Sequence, residues 1–377
     1  MRIAVNLLPF RAQLAGAGRY AQNILRELVA LDANNAYTFF VAARAAAHFA
    51  FDAPNVQHKI VNLPNLLPAR LAYEQWVLPL HQQFDILFTP SVAIPLAWRG
   101  KKVTVIHDMM AEQRALEKYP PLRNAYVRWM SRYAARHSDV ILTVSENSRR
   151  DISAYARVPL EKILLAPNAA APNFTPLQDE TARARVRDAY HLPEHFILYL
   201  GTLEPGKNLP FLVRAYARMK HAHPELEQHL VLAGAPGWGV SAIENEIARC
   251  DASGFHIIGF VEEDDLAALY SLADLFVYPS LYEGFGVPPL EAMACGTPVI
   301  VSNVSALPEV LGAAWTGQMA GLMASPRDQD AWAAAMARVL SDRALRDKLQ
   351  RLGLERAREF SWQASAQVVL DAFNALL

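Results

Sequence analysis

Short runs of apolar, mostly β-branched residues recur along the chain, separated by segments of helix length. In the first half they are Arg2–Asn6, Tyr37–Val41, Asp85–Thr89, Lys102–His107, Asp139–Val144 and Lys162–Ala166. In the second half they are Phe196–Gly201, His229–Gly234, Phe255–Gly259, Leu275–Pro279 and Pro298–Ser302. Brief apolar runs without alternation suit strands covered on both faces. Their interleaving with helices predicts parallel, doubly wound α/β sheets, one in each half. Pro167, Pro172, Pro176 and a polar stretch reaching Pro193 interrupt the pattern, which places one domain over residues 1–180 and a second over 190–355. Many of the strands end in residues unusual for a core: Asn6, Thr89, His107, Ser145, Gly201, Gly234, Gly259 and Ser280. Either these serve ordinary strand-to-loop turns, or they line a cleft between facing domains, since ligands of open α/β sheets bind beyond the carboxyl ends of the strands.

Composition narrows the class. A chain of 377 residues is long for one domain and long enough to bury a core without staples. Its 36 Lys+Arg against 37 Asp+Glu exclude nucleic-acid binding by bulk charge. Cys250 and Cys295 lie far apart with no metal-ligand spacing, which excludes a disulfide framework and fits a reducing compartment. The opening MRIAVNLLPF runs straight into a strand pattern without the apolar core and cleavage site of a signal peptide. The uncharged stretches Ala292–Pro308 and Val310–Pro326 are broken by Gly, Pro, Asn or Gln and fall short of the ~20 apolar residues a membrane span needs. A cytoplasmic, water-soluble protein is expected.

The segment from Tyr278 to Val299 carries the densest chemistry. Glu283-Gly-Phe-Gly286 forms a loop after a strand, and Pro288-Pro289 suits the first turn of a helix ended by Gly296 and Pro298. Gly284 and Gly286 allow close approach of backbone to ligand, and the N–H groups that follow make an anion site reinforced by the helix dipole. Glu291 can reach a hydroxyl beside a bound phosphate, as a ribose offers, and Glu283 a group on the other side. A glycosidase pair is a second reading of the two carboxylates. Eight helical steps would set their backbones ~12 Å apart, whereas a retaining hydrolase needs ~5–5.5 Å between carboxyls.

A second strand–loop–helix junction runs through Gly201-Thr-Leu-Glu-Pro-Gly-Lys-Asn208. Asn208 reads as an N-cap. Lys207, just before it, is placed to neutralise a diphosphate or else is an exposed loop lysine of little weight in the core. In the first half, Gly16 and Gly18 precede a helix expected over Tyr20–Ala30 and permit either a ligand or a plain turn. His107 ends a buried strand, as a site residue or a satisfied core histidine. Pro121–His137 reads as an amphipathic helix with Tyr126, Val127, Met130, Tyr133 and Ala134 on one face and Arg128, Arg132 and Arg136 opposite. The arginine face is either solvated or docks on an anionic membrane surface.

Taken together, these residues resemble retaining glycosyltransferases of family 4, whose GT-B fold sets two Rossmann-like domains face to face. The resemblance covers nearly the whole chain: the Gly16–Tyr20 loop, Thr104-Val-Ile-His-Asp108, Thr143-Val-Ser-Glu-Asn-Ser148, Leu200-Gly-Thr-Leu-Glu-Pro205 with Lys207-Asn208, Gly259-Phe-Val-Glu262, Glu283-x7-Glu291 and Phe360-Ser-Trp362. It implies catalytic roles for His107, Lys207 and Glu283. Donor binding would fall to Gly16, Gly18, Thr202, Val261, Gly284, Phe285, Gly286, Val287 and Glu291. It implies no cofactor and no divalent metal, and a segment, residues 356–377, that crosses back onto the first domain. Two positions depart from the family pattern: Thr202 and Gly206 stand where many members carry Arg. Arg19 is a candidate to compensate.

The activity implied is transfer of a sugar, best matched to mannose from GDP-mannose, onto a lipid-linked or polysaccharide acceptor in cell-surface glycan assembly. Partners would be the nucleotide-sugar, the acceptor and, where the arginine face docks, an anionic inner-membrane surface met through Arg128, Arg132 and Arg136. Two other readings stay open: another GT-B enzyme (a nucleotide-sugar 2-epimerase or a phosphorylase), or a nucleotide-sugar-binding protein without turnover.

Overall fold

The computed structural model describes residues 1–14, 16–81, 83–112, 121–237, 239–250, 253–312 and 319–376. The uncharged stretch Val310–Pro326 therefore lies partly outside the described residues. The chain divides into two compact units, Met1–Asn168 with Ser361–Leu377, and Ala169–Phe360. The first ends at Asn168 rather than near residue 180, and the returning segment starts at Ser361 rather than 356. The start of the returning helix is set locally: Ser361 caps the helix Trp362–Asn374 by accepting from Ala364 N. That helix packs on Gly16–Leu31, where Ser365 Oγ donates to Pro167 O at 2.8 Å and Phe373 meets Phe88 edge to face.

The first unit is built on seven parallel strands: β1 (Arg2–Asn6), β2 (Ala36–Ala42), β3 (Val56–Val61), β4 (Ile86–Thr89), β5 (Lys101–Val105), β6 (Val140–Thr143) and β7 (Ile163–Leu165). Their order is β3-β2-β1-β4-β5-β6-β7. The second unit has six: β8 (Phe196–Leu200), β9 (His229–Ala233), β10 (Phe255–Gly259), β11 (Leu275–Tyr278), β12 (Val299–Ser302) and β13 (Leu322–Ala324), in the order β10-β9-β8-β11-β12-β13. All of the second unit's pairings are parallel too. The central strands of both sheets are almost completely buried, as their unbroken apolar runs require. Helices cover them; Ile106, Ile141 and Ile152, for example, close over Ala134 of the helix Pro121–His137. Each such side chain contributes roughly 1.5–3 kcal/mol through burial.

Two strands escape the apolar-run pattern, β3 and β13. Both lie at sheet edges. β3 carries His58 and Lys59 and leaves most of its positions partly exposed, and β13 is three residues long. β3 is half solvated along its length and β13 is too short to carry a run, so neither shows the apolar-run signature that the other edge strands, β7 and β10, still carry. The helix expected over Tyr20–Ala30 begins earlier, at Gly16, so both glycines belong to its first turn.

Candidate active site

In the second sheet the winding reverses between β8 and β11, neighbours joined by no direct connection. Loops leaving such a pair diverge and open a crevice at the carboxyl ends of the strands. The loop after β8 carries Lys207, and that after β11 carries Glu283. Leu281 N donates to Gly206 O at 2.9 Å, which draws the two loops together. On its other side the β8 loop packs closely against the loop after β9 because glycines allow it: a Cβ on Gly234 would fall 2.0 Å from Gly201 O, and one on Gly237 2.5 Å from Leu203 O.

Lys207 is not an exposed loop residue. Its side chain is 13% exposed, and Nζ donates to Glu283 Oε1 at 2.6 Å, itself on a side chain 12% exposed. A second bond runs from Nζ to the Tyr278 hydroxyl at 3.1 Å, and the Tyr278 ring stacks on Tyr199. Burial alone would lower the Lys207 pKa, but the facing Glu283 carboxylate more than reverses this and holds it well above the ordinary lysine value. The ammonium is thus fixed and charged at neutral pH. Tyr278 escaped the sequence reading; its only signal was its place as the last residue of a buried strand.

Glu283 is held from behind, its N–H donating to Ser305 Oγ at 2.9 Å. Gly286 then takes φ 118°, a left-handed conformation that a side chain would strain, and a Cβ there would meet Leu307 Cδ2 at 2.7 Å. It starts the helix Val287–Ala294. Because Pro288 and Pro289 have no N–H and Leu290 N turns back to Gly286 O, the helix's own donor toward a ligand is the Val287 N–H. The anion site is therefore narrower than a full helix end. Phe285 is buried edge to face with Phe360, so only its backbone is available to a ligand.

Glu291 stands at the fifth helical residue, past the first turn, buried, and accepts from the Tyr270 hydroxyl at 2.9 Å. Val261 is buried next to the exposed Phe260. Thr202 is exposed, and its carbonyl accepts from the Tyr199 hydroxyl at 3.3 Å. Asn208 is the N-cap residue in the left-handed region but caps nothing with its side chain, which donates instead to Pro326 O. Lys207, Glu283, Gly286 and Val287 thus share one loop pair, while Glu291 lies behind it in the helix.

In the first unit, Gly16 begins the helix after β1 with open space where a Cβ would stand, whereas a Cβ on Gly18 would press on Leu14 at 2.8 Å. Gly16 thus leaves room for a ligand, and Gly18 is needed for packing. His107, half-buried beyond β5, has no hydrogen-bond partner for Nε2 among the described residues. Burial pushes its pKa down to about 4, so the imidazole is neutral at pH 7. It is not a satisfied core histidine.

The helix Pro121–His137 is present with Met130 and Ala134 buried. Its arginines are not simply solvated: Arg132 makes a two-pronged pair with Glu112 at 2.8 and 2.6 Å, Arg128 donates to Ala111 O and Arg136 to Ala156 O. Among the described residues no helix is long and apolar enough to cross a membrane, and no group of three or more metal-ligating side chains occurs.

Two doubly wound parallel-sheet units, one with a buried Lys–Glu pair and a glycine-started helix at its switch point, have the architecture of the GT-B fold. Residues 14–174 match the family described as Glycosyltransferase Family 4, and residues 183–356 the one described as Glycosyl transferases group 1. The chain is 31% identical to O-antigen chain mannosyltransferase B of Escherichia coli over the full length of both proteins. Among solved structures it is similar to sucrose-phosphate synthase from Thermosynechococcus elongatus (TM-score 0.77, 20% identity, covering 100% of this chain and 98% of that one). It is similar also to Anabaena HepE in complex with UDP and glucose (TM-score 0.76, 17% identity, all of both chains). The protein belongs to glycosyltransferase family 4.

Proposed function

We propose that this glycosyltransferase moves mannose from GDP-mannose, with retention at the anomeric carbon, onto a lipid-linked or polysaccharide acceptor of a cell-surface glycan. The full-length likeness to an O-antigen mannosyltransferase supports the sugar and the acceptor class. The observation that carries the chemistry is the buried Lys207–Glu283 pair beside the Val287 N–H. A preorganised ammonium and a backbone donor stabilise the diphosphate as its bond to the sugar breaks, and neither has to reorganise at that moment. Glu283, already oriented by Lys207 and Ser305, is placed to hold sugar hydroxyls. Gly284 and the Phe285 backbone would follow the diphosphate, Glu291 the ribose, and the backbone at Val261 with Thr202 the base and nearby polar groups. Within the first unit, Gly16 leaves room for a ligand, and His107, as a neutral imidazole, would hydrogen-bond a sugar substrate. Lys207 and the helix end supply the charge for which other transferases use a divalent cation, so the reaction needs no metal.

Calorimetric titration with GDP and with UDP, in chelator, tests the donor site. GDP should bind, and Glu291→Ala should abolish binding. Preference for UDP would replace mannose as the sugar, and binding of neither would sink the site.

We also infer peripheral attachment to an anionic membrane surface. Arg128, Arg132 and Arg136 share their unit with unusually exposed apolar side chains: Leu66, Trp76, Leu80 and Leu122 are 63%, 74%, 75% and 86% exposed. Near an anionic leaflet each arginine is worth about 1 kcal/mol. Replacing all three with Gln should weaken binding to phosphatidylglycerol vesicles by about 10²-fold, and a parent protein that ignores such vesicles refutes the attachment.

A further inference from the structure

His107 differs from most histidines that act on a substrate, whose ring is oriented by a hydrogen bond from its second nitrogen. Among the described residues no such bond is found for Nε2. What touches the imidazole is a ring: Tyr20 lies perpendicular to it with centroids 4.9 Å apart. Tyr20 is itself immobile. It is fully buried, its hydroxyl donates to Ala166 O at 3.0 Å, and Trp362 meets it edge to face at 5.7 Å.

Trp362 is the first residue of the returning helix, and Ser365, one turn on, is bonded to Pro167 O. The hydroxyl of Tyr20 and that of Ser365 thus grip adjacent carbonyls, 166 and 167, just past β7. The two rings are pinned to the sheet at a single place, and His107 rests against the outer one. Tyr20 is two residues after Gly18, in the first turns of the helix that begins at Gly16.

We propose that Tyr20, backed by Trp362, is a positioning residue for His107: its ring sets the plane of the imidazole and shields the imidazole's buried edge from water. The proposal rests on the role given to His107 above. It gives the returning helix a task beyond packing, since Trp362 reaches the imidazole through one intervening ring. The hydroxyl of Tyr20 fixes the ring and makes no contact of its own with His107, so the ring, not the phenol proton, is what counts. Charged groups adjoin on either side in sequence, Asp108 after His107 and Arg19 before Tyr20; Asp108 Oδ1 accepts from Met110 N.

The test combines turnover with a side-chain NMR titration of His107 in histidine-labelled protein, its signal assigned with His107→Gln. In the parent, burial holds the His107 pKa down at about 4, so its titration should lie well below that of an ordinary histidine. Tyr20→Leu should move it up toward the ordinary histidine value near ~6.5 and lower kcat by about tenfold or more, with donor KM little changed, because misplacing a site group by an ångström costs that much or more. Tyr20→Phe, which keeps the ring, should restore both readouts. A folded Tyr20→Leu protein in which His107 titrates where it does in the parent overturns the proposal. Should that variant fail to fold, Trp362→Leu is read in the same way: a shifted titration supports the proposal, and an unshifted one overturns it. Unchanged turnover in His107→Gln would remove His107 from the reaction, whereas the titration decides the positioning by itself.

Discussion

Replacing Lys207 with alanine tests the site on two axes at once. The side chain pairs with Glu283 at 2.6 Å, and both partners are about seven-eighths buried. Removing the ammonium strands a buried carboxylate, a change that costs ~3–5 kcal/mol in fully buried pairs. With some solvent reaching both groups, about 3 kcal/mol is expected here. For a unit of about 190 residues each kcal/mol is worth roughly 2–4 °C, so the second unit's melting transition should fall by about 6–12 °C. Adding Glu283→Gln to the alanine variant should recover most of that loss, because no unpaired charge remains. The pair's stabilising effect is complete below the unfolded lysine pKa and disappears only as pH climbs through the raised folded value. The deficit should therefore be flat from about pH 6 to 9. Turnover, assayed at 15–20 °C below the lowered transition (about 5 kcal/mol clear of unfolding on the same scale), should drop by about 10²–10³, the usual effect of losing one preorganised donor to a leaving oxyanion. An unshifted transition would mean that the pair does not form in solution. A folded variant with undiminished turnover would take Lys207 out of the reaction.

Two further outcomes are expected. Glu74 is almost wholly buried, 3.5 Å from Arg70 and within reach of the Asn6 amide, and burial raises its pKa from 4.5 to about 7. An acid so raised contributes stability that is present below its unfolded pKa and lost as pH rises through 7, here about 3 kcal/mol. Glu74→Gln should flatten the stability profile between those values, and denaturant titrations at pH 4.5 and 8 that still differ by the parental amount would refute it. Gly206→Arg supplies the cation that the family resemblance leads one to expect, at a position where a Cβ meets nothing within 4 Å. It should tighten GDP binding up to about tenfold, worth ~1.4 kcal/mol, and weaker binding by calorimetry would show that the extra charge is misplaced.

The legible parts of the fold were those where one physical cause dominates. Central strands are apolar because both faces are covered, so β1, β4, β8 and β11 stand out without help from neighbours. Edge strands answer to solvent on one side and to a ladder on the other, and β3, with its His58 and Lys59, does not announce itself. The glycine loops were legible for a related reason: Gly286 sits at φ 118°, which other residues avoid. Gly18, however, is there for Leu14, a contact that no local pattern encodes.

What could not be read was which loops meet. Lys207 and Glu283 are 76 residues apart, and only the adjacency of β8 and β11 brings them together. That adjacency comes from the order in which the sheet is wound, which sequence periodicity leaves open. Taken alone, Lys207 has the surroundings of a solvated lysine, with Pro205, Gly206 and Asn208 about it. The same residue, once β11 is alongside, becomes a buried cation with a fixed partner and an aromatic wall. The consequence for function is direct. A solvated lysine must give up its water and its freedom before it can meet a diphosphate, while this one has done so in the course of folding. Sheet topology, more than residue type, is what turns the Gly-Lys-Asn turn into the site proposed for a departing diphosphate.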